Sequence, residues 1–245
     1  KSIKKILFKK IKFETNFNIQ NNNSLILDGL YSYKDLNYNK FKFKQKQNKE
    51  IKNFFIDLNL TENINIDVIN FRLDSVNKSN LKVEYNVRNK KSIFKSIVFT
   101  EGKNIIHVKD LVLNNKNQID KFSNIRIQTF NKNEENNNFV INFGKKISIT
   151  GKKYDSSNLL ASLSNSNKSS QFKKITKELE IKIKYLITES KTPLSNFNLI
   201  GLIEKGKLSK ISAKGEFSKE RYLDISLKKD PNNKKILEVY SDIPQ

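Results

Sequence analysis

Few residues in this 245-residue chain could do chemistry, and their spacing reduces most of them to ordinary structure. Gly201-Leu202-Ile203-Glu204-Lys205-Gly206-Lys207-Leu208 has the spacing of a phosphate-binding loop as far as its lysine. Leu208 then stands where a Ser or Thr hydroxyl would hold Mg²⁺, and the flanks predict no helix whose N-terminus could receive a phosphate. They predict a hairpin instead, Leu199 to Ile203 and Leu208 to Phe217, turned at Lys205-Gly206. His107 is the single histidine, so a mechanism needing a base of near-neutral pKa rests on it alone. Its setting, Ile105-Ile106-His107-Val108, is a strand from which it faces away from the core. No Gly-x-Ser-x-Gly turn exposes a nucleophile. Without Cys there are no disulfides, thiolate metal ligands or cysteine nucleophiles, and the carboxylates have no calcium-loop spacing. No catalytic residues, metal site or cofactor are nominated, and the chain reads as a non-enzyme.

The formal charge of +22 comes from 47 basic against 25 acidic residues. Only four of the basic residues are Arg, and Lys, Asn and Ile abound together, the signature of a genome rich in A and T. Strands such as Lys40-Phe41-Lys42-Phe43-Lys44 and Glu180-Ile181-Lys182-Ile183-Lys184 could set lysines on nucleic-acid phosphates and rings on bases. Alternation, however, puts charge and ring on opposite faces, which counts against a nucleic-acid partner. Lys on exposed strands also resists edge-to-edge aggregation, and a basic face tolerates anionic lipid head groups.

The elements that must carry these residues are strands. Ala, the best helix former, occurs only twice, while Ile, Val, Phe, Tyr and Thr are plentiful. Period-two alternation runs through Phe54 to Leu60, Ile64 to Val68, Leu81 to Val87, Phe139 to Phe143, Leu179 to Tyr185 and Leu223 to Leu227, separated by Asn-rich turn segments. About a dozen such strands each offer one apolar and one polar face. One short helix is predicted near 155–163, with N-cap candidates at Asp155 to Asn158 ahead of Leu159-Leu160. Residues 164–171 form a soft internal boundary in an otherwise continuous segment, 1–245. With few helices to cover it, the sheet either closes on itself as a β-sandwich or stays open with an apolar groove. No run of 18 apolar residues occurs, and the absence of an initiator Met leads us to expect a segment of a longer protein.

Asn142 to Asp155 followed by Leu159-Leu160 resembles a segment of the bacterial AsmA-like family, in which a strand ends in Gly (here Gly151), an aromatic-Asp turn follows (Tyr154-Asp155) and a Leu-Leu helix begins. Phe197 to Phe217, with Gly215 as a second strand-ending Gly, then Leu223 to Leu227, then Leu237 to the closing Ser241-Asp242, resembles that family's next stretch. Residues 139–242 carry the likeness. Ile243-Pro244 depart from the further Asp and small residues that commonly follow. These motifs are structural punctuation, not chemistry.

The resemblance implies an all-β fold: a long, curved, mostly antiparallel sheet with an apolar concave face left open as a groove. It further implies a periplasmic protein, tethered to the inner membrane by an anchor outside these residues, that moves phospholipid toward the outer membrane. The alternating sets then nominate a groove for phospholipid acyl chains: Phe54, Ile56, Leu58 and Leu60; Leu81, Val83, Tyr85 and Val87; Leu179, Ile181, Ile183 and Tyr185; and Leu223, Ile225 and Leu227. A basic nucleic-acid-binding β-protein and a purely structural β-sandwich are the alternatives.

Overall fold

The computed structural model describes residues 6–17, 22–33, 37–48, 50–61, 63–73, 78–89, 91–158, 172, 174–189, 192–230, 232 and 234–242. Its strands are β1 (Leu7–Asn16), β2 (Asn22–Ser32), β3 (Asn39–Asn48), β4 (Ile51–Leu60), β5 (Ile64–Ile66), β6 (Phe71–Leu73), β7 (Ser79–Arg88), β8 (Lys91–Glu101) and β9 (Asn104–Leu113). They continue as β10 (Ile119–Lys121), β11 (Asn124–Asn131), β12 (Glu134–Phe143), β13 (Ile147–Asp155), β14 (Lys177–Ile187), β15 (Pro193–Glu204), β16 (Lys207–Ser218), β17 (Arg221–Lys229) and β18 (Lys235–Ser241). All but β5 and β6 belong to one 16-stranded sheet, which runs from β1 to β18 almost in chain order. Its two outer strands do not pair with each other, so the sheet is open, closed neither into a barrel nor into a sandwich.

Short turns make this order possible, since antiparallel neighbours need only a few residues to reverse. Lys205 and Gly206 turn β15 into β16 with φ of 50° and 76°, the left-handed pair that suits the twist of a hairpin. The phosphate-loop spacing is thus the hairpin its flanks predict. β13 and β14 pair in parallel, whereas the other described pairs are antiparallel. That pair needs a crossover, supplied by residues 156–176. Ser157 and Asn158 form a turn there. The rest of the predicted helix, with Leu159 and Leu160, and the predicted boundary at 164–171 lie outside the described residues.

Two expectations change. Gly151 and Gly215 do not end strands: β13 continues to Asp155 and β16 to Ser218. Gly151 lies beside a bulge, so close to Phe139 of β12 that an added Cβ would overlap it. The period-two stretch from Ile64 to Val68 also fails as a single strand. After Ile66 the chain makes a 3-10 turn, Asp67–Ile69, which Asn70 ends at φ 44°, and β6 then returns along β5.

This hairpin, inserted between β4 and β7, covers part of the sheet. Phe71 is fully buried and meets the ring of Phe99 edge-on at 6.0 Å. Ile69, Phe71 and Leu73 join Phe99, Ile127, Phe139 and Ile183 in the main apolar cluster. Polar bonds hold the hairpin in place. Asn137 Nδ2 donates to the Ile69 carbonyl at 2.7 Å and to Thr129 Oγ1 at 2.8 Å, while Asn137 Oδ1 accepts from the Asp155 amide at 2.9 Å. Asn131 and Asn136 both donate to the Asn70 carbonyl, and Asn70 Nδ2 donates to Asp155 Oδ2 at 2.8 Å.

Asn137 is wholly buried, so its truncation leaves buried partners without bonds, at about 1–3 kcal/mol for each group stranded. Asn137→Ala is expected to lower unfolding free energy by about 3 kcal/mol, measured by urea titration. A loss below about 0.5 kcal/mol, the size of an ordinary surface change, would contradict the role given to this network.

Candidate functional site

Cross-strand partners share a face of the sheet, and here they form a continuous apolar row. From β1 to β18 it reads Phe13, Leu27, Phe43, Ile56, Val83, Ile97, Val108, Ile125, Ile141, Ile149, Ile181, Leu199, Ala213, Ile225, Val239, with every strand on the sheet's path contributing one residue. At 4.7–4.9 Å per strand it spans about 65–70 Å. Most of the row is neither buried nor fully exposed. Its ends, Phe13 and Val239, are 63% and 59% exposed.

Two covers flank the middle of this row. On one side lies the β5–β6 hairpin. On the other, Ile175 at the end of the crossover packs with Ile147 and Leu179, and Ile119, Phe143 and Ile203 lie against them. Ile141, Ile149, Ile181 and Leu199 touch both clusters, and these row residues form the floor between the two covers. Toward the β3 side the face carries an aromatic ladder: Phe54 stacks on Tyr85 at 4.6 Å and Tyr85 on Phe94 at 5.2 Å.

The structure brings most of the sequence-nominated residues onto this face. Phe54, Ile56 and Leu58 stand opposite Tyr85, Val83 and Leu81, Leu60 lies opposite Ser79, and Val87 pairs with Lys52. Leu179, Ile181, Leu223, Ile225 and Leu227 lie on it as well. Ile183 does too, but at 1% exposure it is core. Tyr185 does not follow its neighbours. An irregularity beside Lys184 shifts the alternation so that Leu186 turns inward, and Tyr185, 37% exposed, stands among Glu135, Lys152 and Lys153 on the opposite face.

Of the motif residues, Tyr154 reaches across the face and donates its hydroxyl to the Val68 carbonyl at 2.9 Å. Asp242 closes the last strand by accepting from the Tyr222 amide and the Tyr240 hydroxyl, both at 2.6 Å. The β5–β6 hairpin is the part sequence reasoning missed. Its signal was Asn70, a residue tolerant of left-handed backbone, set between two short apolar runs.

The opposite face is polar and mixed in sign. Lys12, Asp28, Lys42, Asp57 and Lys82 form an alternating cross-strand row. Hydrogen bonds from Lys146 and Lys182 pull the Glu180 carboxyl down to about 2. His107 lies on this face with Ser96 Oγ 3.0 Å from Nε2. Desolvation, then the charges of Lys109 and Arg126, lower its pKa, so the ring resists the imidazolium state a Ser-His base must pass through. Among the described residues no group of three His, Cys, Asp or Glu is placed to hold a metal ion, and no helix is long and apolar enough to cross a membrane.

Compared with known proteins, the chain matches no family model, no curated protein and no solved structure.

Burial, with the neighbouring Asp155 charge second, raises the Tyr154 phenol from 10 to about 12. A folded-state pKa above the unfolded one stabilises the fold fully below pH 10 and loses that stabilisation as pH rises toward 12. Ultraviolet titration is expected to find a tyrosine component ionising at about pH 12 that Tyr154→Phe removes. Titration of all tyrosines near pH 10 would contradict the packing that desolvates the Tyr154 phenol.

Proposed function

We propose that the apolar face holds lipid acyl chains, and that the chain is a non-catalytic lipid-transfer segment of the AsmA-like kind, carrying phospholipid across the periplasm from a tether in the inner membrane. The observation that carries the reading is the uninterrupted apolar row, part-exposed between two covers in an open sheet. A structural sandwich would bury such a row against a second sheet. The mixed charge of the opposite face counts against a nucleic-acid surface, which would concentrate cations of one sign.

The physics of transfer is simple. Each CH₂ withdrawn from water gains about 0.8 kcal/mol, and the gain is nearly the same along a row that, apart from the buried Ala213, consists of Ile, Val, Leu and Phe. A chain can therefore move along the row without meeting a deep trap. The span of about 65–70 Å exceeds a bilayer's hydrocarbon thickness of about 30 Å, leaving room for more than one lipid.

Native mass spectrometry with lipid extraction, on protein purified from a bacterial host, is expected to find phospholipid bound at reproducible stoichiometry. Ile225→Asp, on the part-exposed row, is expected to reduce bound lipid several-fold and leave the protein folded. Ile183→Asp, in the core, is expected to unfold it, since an uncompensated buried carboxylate costs several kcal/mol. Stable protein that is consistently lipid-free would overturn the reading.

A further inference from the structure

The two ends of the strands differ in charge. The turns on the side of the β5–β6 hairpin carry acids and bases in near balance: Glu101 and Lys103, Glu134 and Lys132, and Glu220 with Lys219 and Arg221. At the opposite ends lysines outnumber acids: the β12–β13 turn carries Lys145 and Lys146, the latter paired with Glu180, Asp120 faces Lys91 and Lys174, the β15–β16 turn sets Lys205 and Lys207 against Glu204, and the β17–β18 turn sets Lys234 and Lys235 against Asp230. A lysine-rich genome would enrich both ends alike, so composition does not account for the difference.

The asymmetry reaches the apolar face itself. Lys52, Lys177, Lys229 and Lys235 each stand two residues beyond an apolar residue of this face, namely Phe54, Leu179, Leu227 and Leu237, and so point to the same side. At the hairpin end the corresponding positions are Ser79, Glu101, Asn104, Thr129 and Asn137. Where β15 to β18 end, Lys205, Lys207, Lys229 and Lys235 line an open cavity of about 730 Å³ beside Leu208. Among the described residues, Glu204, 3.5 Å from Lys229, is the single acid in its lining.

We propose that this lysine rim holds the phosphate of an anionic phospholipid whose acyl chains lie on the apolar face. The inference rests on the lipid reading above and gives each bound lipid an orientation: chains toward the row, head group at the rim away from the hairpin. Lysine ammonium groups are point-charge phosphate binders, and several acting on one anion favour it over a zwitterion whose own cation they repel.

The test is binding of monomeric dioctanoyl phosphatidylglycerol and dioctanoyl phosphatidylcholine by calorimetry, below the concentration at which either forms micelles. The unaltered protein is expected to prefer the anionic lipid about tenfold, by an amount that shrinks as salt rises. The variant K205Q/K207Q/K229Q/K235Q is expected to bind both lipids alike. K103Q/K132Q/K219Q/R221Q, which removes the same charge from the hairpin end, is expected to keep the preference. Equal affinities in the unaltered protein would overturn the rim and leave the lipid reading standing. Equal loss in both variants would overturn it as well, by making the effect one of net charge. Inorganic phosphate binding as tightly as the lipid would assign the site to free phosphate. No binding of either lipid would overturn both the lipid reading and the rim.

Discussion

The constraint on which the rest of this structure depends is an apolar face that the sheet does not cover by closing. Each strand alternates, the registers align the alternation, and a continuous strip of Ile, Val, Leu and Phe results. Closure would bury that strip against itself. Here the sheet stays open, and the pieces added to it, the β5–β6 hairpin and the end of the crossover at Ile175, cover its flanks and leave its middle part-exposed.

Holding a small hairpin on a large apolar surface requires direction as well as burial, and side-chain amides supply it. Asn131 and Asn136 donate to the Asn70 carbonyl, Asn137 donates to the Ile69 carbonyl and accepts from the Asp155 amide, and Asn70 donates to the Asp155 carboxylate. Such a network is favourable only when every buried member has a partner. Among the described residues no buried side-chain polar atom lacks one. The abundance of Asn, which in sequence reads as genomic bias, is here put to structural use at one end of the sheet.

The alternation makes the strand class, the open-or-closed question and most of the face residues legible in the sequence. It could not locate bulges. One extra residue flips every side chain after it, which is why Tyr185 was assigned to the face while Leu186 occupies it. Gly151 reads as a strand end through the AsmA-like resemblance alone, yet it lies inside β13, so close to Phe139 and the Asn138 carbonyl that no side chain fits. Asn70 marks the turn of the β5–β6 hairpin in the sequence, but its docking on the sheet is illegible there, because the bonds that hold it join residues more than sixty positions apart. The lysine rim was hidden for a similar reason: scattered lysines become one edge only when strand direction is known.

The chain contains no Cys, so single cysteines carrying an environment-sensitive fluorophore can be placed at will. The measurement that tests the open apolar face most directly puts that probe in turn at Val83, Ile149 and Ile225 on the row, and at Lys42, Lys182 and Asn198 on the opposite face. Added phospholipid is expected to brighten and blue-shift emission at the three row positions and at none of the others. Row positions already shielded without lipid, or a response that does not distinguish the two faces, would contradict the account.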